Sequence, residues 1–110
     1  MFAEVKRMLP ISGNDYDAEI VTQIKAAALD LTRTADIILP GEISISIDAE
    51  TGAVTDESTI DDPYVIRALA KWCAFNIGNP PNYAQLLAAY EEQKGAMAKS
   101  SNYTDYETEE

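Results

Sequence analysis

Histidine is missing from this 110-residue chain, and cysteine occurs once, at Cys73. Without imidazole the chain lacks the usual general base near neutral pH, the commonest metal ligand and the partner that activates a serine or cysteine nucleophile. A lone cysteine can form neither an internal disulfide nor a thiolate zinc site, so a buried structural thiol in a reducing compartment is the expectation. Glycine and proline number only five each, and no GxGxxG or GxxxxGK[ST] pattern offers a phosphate-cradling loop. No apolar run approaches the roughly 18 residues of a membrane span, and the N-terminus lacks the basic-then-apolar order of a signal peptide. A soluble, intracellular, single-domain protein is therefore expected, with no membrane partner. An enzyme would have to work with carboxylates alone. Asp61 and Asp62 are the nearest approach to an acid-base pair, but adjacent side chains at a helix start do not face each other across the ~5 to 9.5 Å that glycosidase chemistry needs. Neither enzymatic activity nor a cofactor is expected.

Basic residues are also scarce, eight Lys and Arg against 19 Asp and Glu, for a net charge of -11. The excess is localised. Asp48, Glu50, Asp56, Glu57, Asp61 and Asp62 lie in one stretch free of Lys and Arg, and Asp105, Glu107, Glu109 and Glu110 lie in another. Outside these ten acids the chain is nearly neutral, so the negative field belongs to one loop and one tail. Such a field repels DNA phosphates and complements a basic partner. Asp48, Glu50 and Gly52 resemble the start of a calcium loop. The EF-hand template, however, wants Gly one position later and Glu at its twelfth position, where Ala53 and Thr59 stand. A solvated acidic turn is expected instead.

What is present reads as helix, then strand, then helix. Phe2, Val5 and Leu9 have helical spacing up to Pro10, giving a short first helix over residues 1 to 9. Asn14 or Asp15 is placed to cap a second helix that carries Ile20, Val21, Ile24, Ala27, Ala28, Leu31 and Ala35 on one stripe and runs to about Asp36. After Pro40-Gly41 the period switches to two: "EISISID" sets Ile43, Ile45 and Ile47 on one face. "DAETG" supplies a turn and "AVT" a return strand, so a β-hairpin is predicted between residues 42 and 56. An isolated hairpin is marginal in water, so its isoleucine face must pack on this chain's helices or on another chain. Asp61 or Asp62 caps a third helix that begins with Pro63 and carries Val65, Leu69, Trp72, Cys73 and Asn76, with Arg67 and Lys71 four residues apart on another face. "GNPPN" then ends that helix at Gly78 and opens a fourth at Asn82, with Gln85 completing a capping box. Tyr83, Leu86, Leu87, Tyr90 and Met97 line one side of the fourth helix, and Gly95 weakens it, which suggests close packing or fraying nearby. Residues 105 to 110 form an acidic tail. Tyr103 and Tyr106, in a polar segment with no evident core of its own, are the aromatic interface candidates.

The fold class is thus mainly α: about four helices with one hairpin inserted between the second and third. Read in order, "DP", "W-C", "G-N-P-P-N-Y", "Y-x-x-x-K" and "Y-T" over residues 61 to 104 resemble the C-terminal half of head-to-tail connector proteins of tailed bacteriophages and prophages, also described as DNA-packaging adaptors. An early "V-K-x-x-L" and an Ala-rich second helix agree. The resemblance implies one connector domain over residues 1 to 104. Its subunits would form a ring of roughly a dozen copies beneath the portal, closed through heterologous contacts. It further implies assembly in the bacterial host cytoplasm, a place at the virion head-tail junction, and a tail-side stopper or completion protein as a later partner. DNA would pass through the lumen without specific binding. Ile43, Ile45, Ile47, Arg67, Lys71, Tyr103 and Tyr106 are the candidate subunit or portal contacts, and Asp48, Glu50, Asp56 and Glu57 the candidate channel-facing acids. The alternative reading is an acidic helical binding module or DNA mimic that occupies a basic partner site.

Overall fold

The apolar stripes fold as four helices among the described residues: α1 (Phe2–Arg7), α2 (Asp17–Thr34), α3 (Pro63–Asn76) and α4 (Tyr83–Ala98). Strands β1 (Ile45–Ile47) and β2 (Val54–Asp56) form an antiparallel hairpin between α2 and α3, with Ile45 opposite Asp56 and Ile47 opposite Val54. The structure is a computed structural model and describes residues 1–11, 13–78, 80–100 and 103. No helix in it is long and apolar enough to cross a membrane, among the described residues.

Helix α3 is the central element, touching α1, α2 and α4. Its sequence explains this position. Val65, Ile66, Ala68, Leu69, Ala70, Cys73 and Phe75 are all buried, so the apolar surface wraps well beyond a single stripe. A helix apolar on several sides must be covered on several sides. Burying a side chain such as Leu69 or Val65 stabilises by about 1.5 to 3 kcal/mol relative to exposure, and both are fully buried. Ile20, Ile24, Ala27 and Leu31 of α2 form one wall of the same core, Phe2 and Val5 of α1 a second, and Tyr90 and Met97 of α4 a third. Trp72 is half-buried and meets the Tyr90 ring edge-on at 5.3 Å, while its indole N–H donates to Gln23 Oε1 at 2.8 Å. The polar flank of α2 therefore joins the packing. Asp30 accepts from the Tyr90 hydroxyl at 2.6 Å and from Lys94 Nζ at 3.0 Å, fixing α4 against α2. Burial opposes the Asp30 charge, but those two donors outweigh it and hold its carboxyl below the usual range.

The caps divide into kept and lost. Asp62 caps α3 through Oδ1, which accepts from Tyr64 N at 2.9 Å, and Pro63 opens the first turn. Gly78, just after α3, takes φ 75, the left-handed conformation glycine adopts without strain. Neither Asn14 nor Asp15 caps α2. Its N-cap is Tyr16, without a side-chain bond, because Asn14 Oδ1 accepts instead from Lys6 Nζ at 3.0 Å, next to the Lys6–Asp17 ion pair at 2.7 Å. Asn82 precedes α4, but its ψ of 37 is not the extended geometry in which a cap side chain reaches back to the first amides, and no capping box forms with Gln85. Around Gly95 there is no close packing: a Cβ there would meet nothing within 4 Å, and the helix continues to Ala98.

Candidate functional site

The hairpin carries the longest-range expectation, and its isoleucine face divides unequally. Ile45 is 5% exposed and belongs to the core against α2, whereas Ile43 and Ile47 are half-buried at its margin. The hairpin thus packs on this chain's own helices through Ile45. Ile45 is corrected from partner contact to core residue. The arms continue past the ladder through Glu57 N to Ser44 O (2.8 Å) and Thr59 N to Glu42 O (2.9 Å). At their base Gly41 has φ 150, and a Cβ there would stand 3.0 Å from Thr59 Oγ1 and 3.1 Å from the Ile60 backbone N. Only glycine lets the arms close that tightly.

The hairpin acids also divide. Asp48 closes the turn: Oδ1 accepts from Glu50 N at 2.8 Å and Thr51 N at 3.2 Å, and these amides hold its carboxyl below the usual range. Glu50 and Glu57 are exposed, and Asp48 with Glu50 makes an acidic, structured tip. Asp56 is not a free channel-facing acid. Its Oδ2 accepts from Phe2 N at 2.6 Å and lies 3.0 Å from the Met1 amino nitrogen, and its Oδ1 accepts from Ser58 N at 3.0 Å. Burial pushes its pKa up, yet the Phe2 and Ser58 bonds prevail and bring it from 3.8 to about 2. Asp56 therefore ties the hairpin to α1.

Tyr103 is likewise corrected. It is 8% exposed, its ring stacks on Tyr64 at 6.3 Å, its hydroxyl donates to Asp62 Oδ2 at 2.7 Å, and its carbonyl accepts from Ile38 N at 2.6 Å. Its ring closes the core over the start of α3. Burial and the Asp62 carboxylate push its phenol up to about 12. Tyr106 and the acids 105 to 110 lie outside the described residues. Arg67 and Lys71 remain together on one face of α3, along a groove against α4, and neither makes an ion pair among the described residues. Cys73 is fully buried, and burial pushes its thiol up to about 12. Among the described residues no group of three or more Cys, Asp or Glu side chains is placed to hold a metal ion.

Sequence reasoning missed a cleft at one end of the bundle. The C-terminal end of α1, the start of α2, the end of α3 and the "PPN" turn surround a hollow of about 620 Å³, lined by Met8, Ile11, Tyr16, Ile77, Pro80 and Leu86 among others. Met8 and Tyr16 are 50% and 44% exposed. Their one signal in the sequence is that both are large apolar or aromatic residues that fall outside every helical stripe. Leu29 and Ile38 are similarly exposed near the other end of α2. Leu29 follows Tyr16 by 13 positions, about 20 Å along a helix axis. Gly78, Pro80, Pro81 and Asn82 thus wall an apolar hollow. Comparison with protein-family models, with characterised proteins and with solved structures finds no match to this chain.

Proposed function

We propose that this chain is a structural subunit of a phage or prophage head-to-tail connector, assembling into a ring beneath the portal through which DNA passes during packaging and ejection. The observation that carries the reading is the ordered run from Asp61 to Thr104, with its "DP", "W-C", "G-N-P-P-N-Y" and "Y-T" signposts. Two features of the fold support it. Large apolar side chains stay exposed at both ends of α2, Met8 and Tyr16 by the cleft and Leu29 and Ile38 at the other end. Exposed apolar side chains at two separated places on one chain suit a head-to-tail contact between copies, which closes into a ring when the rotation permits. The hairpin tip, in turn, presents Asp48 and Glu50 on a turn fixed by backbone hydrogen bonds. An acidic tip at a lumen repels DNA phosphates and keeps the passage from binding its cargo.

The cleft supplies the test. Substituting Met8→Lys together with Tyr16→Lys places two charges on exposed positions and leaves the core intact, as circular dichroism should verify. Sedimentation of the chain at rising concentration should then show self-association weakened by about tenfold or more, the scale of a lost anchor side chain. Undiminished association of the folded double variant would remove the cleft from the contact.

A further inference from the structure

The cleft beside Met8 and Tyr16 is apolar in its lining and acidic at its rim. Among the described residues that line it, only Tyr16 and Asn82 bring side-chain oxygen or nitrogen, and both are exposed. A small-molecule pocket of this size orients its ligand with placed polar groups, and no buried one stands here. Asp15 directly precedes Tyr16, Glu19 lies in the first turn of α2, and both are exposed. The Glu19 charge reaches the cleft: Cys73 is part of the lining, and its thiol is raised first by burial and then by Glu19. Neither acid makes an ion pair among the described residues. Of the cations on α1, Lys6 is paired with Asp17, and Arg7 is not part of the lining and acts on Glu4.

Towards the other end of α2 the arrangement is reversed. Leu29 is 49% exposed, and Lys25 and Arg33, also exposed, stand four positions before and after it. Residues at that spacing share a helix face and lie about 6 Å apart along the axis. Neither cation makes an ion pair among the described residues. Asp30, the adjacent acid, is held by the Tyr90 hydroxyl and Lys94 Nζ. An apolar knob between two cations thus faces solvent in a chain of net charge -11. The knob cannot fill its own cleft, because 13 positions separate Leu29 from Tyr16, about 20 Å along α2.

We propose that Leu29 of one copy inserts into the cleft beside Met8 and Tyr16 of the next, with Lys25 and Arg33 meeting Asp15 and Glu19 at the rim. The inference rests on the reading that copies assemble through a heterologous contact, and it names both faces of that contact. An apolar anchor in a hollow, surrounded by a polar rim, is the usual anatomy of a protein interface. The charges decide its symmetry. A two-fold contact, knob on knob or cleft on cleft, would set like charges against each other, whereas knob in cleft pairs opposite ones. Each copy carries one knob and one cleft, so the contact repeats from copy to copy.

The experiment mixes two variants of the full chain. Leu29→Asp breaks the knob and leaves the cleft; Met8→Lys with Tyr16→Lys breaks the cleft and leaves the knob. All three positions are exposed, and circular dichroism checks each fold. In sedimentation at rising concentration, each variant alone should self-associate about tenfold or more weakly than the wild type. Mixed one to one, they should form a heterodimer that grows no further, because one intact knob meets one intact cleft. Lys25→Glu with Arg33→Glu should also weaken self-association, by a margin that shrinks as salt rises. Should Leu29→Asp fail to fold, this double variant takes its place in the mixture. Undiminished self-association of the knob variants, or a mixture that stays monomeric while the wild type assembles, would overturn the proposal and leave the connector reading standing. A wild-type chain that is monomeric at every concentration would overturn it too, and only a failure to assemble on purified portal rings as well would take the connector reading with it.

Discussion

Asp56 shows how a single residue changes meaning between sequence and fold. In the sequence it is one acid in a run of six; in the structure its carboxylate joins the hairpin to α1 through Phe2 N. Its pKa falls from 3.8 to about 2 on folding. A group whose pKa is depressed by folding contributes stability above its unfolded pKa and loses it as pH drops through its folded value. The window here is about pH 4 down to about pH 2. Because much of the group is solvated, screening reduces the contribution to about 1 kcal/mol. Urea unfolding of Asp56→Asn should therefore show a deficit of about that size from pH 7 to pH 4 that closes towards pH 2. A deficit that stays constant down to pH 2 would mean that shape rather than charge holds the hairpin base.

At the scale of elements, the hairpin and α4 give the sharpest expectations. Ile45→Ala removes a core side chain and should cost about 2 to 4 kcal/mol, while Ile43→Ala, at the half-buried margin, should cost less than half as much. Equal losses in denaturant titrations would show that the two isoleucines share one environment. Gly95→Ala should stabilise α4 by about 0.5 to 1 kcal/mol, since a helical Cβ there meets only open space. A destabilised variant would place an undetected neighbour at that position. The four helices and the hairpin were legible because their apolar periods, 3.6 and then 2, are local properties of the chain, and the Asp62-Pro63 start of α3 is local chemistry too. The lost caps were not legible for the opposite reason. Whether the Asn14 side chain turns to an amide of α2 or to Lys6 depends on where α1 ends up. The same holds for Tyr103, whose polar neighbours say nothing about the Tyr64 ring it meets, and for Ile45, which alternation puts on a face without saying what covers that face. Arg67 and Lys71 were legible as a pair; the groove beside them, and the buried Gln93, were not, because they need α4 alongside α3.

For the whole molecule, the consequence of the fold is a small helical body whose core is complete while its apolar ends are not. Tyr103 seals the start of α3, and α2 is covered by α3 and the hairpin, yet Met8, Tyr16, Leu29 and Ile38 stay in solvent. The connector reading assigns those ends to neighbouring copies and the acidic hairpin tip to the passage between them. Native mass spectrometry of the purified chain, alone and mixed with purified portal rings, tests this most directly. The account predicts a closed ring of one defined stoichiometry, formed by the chain alone or on the portal. A strict monomer in both samples would contradict it and would instead favour an acidic module that binds a basic partner.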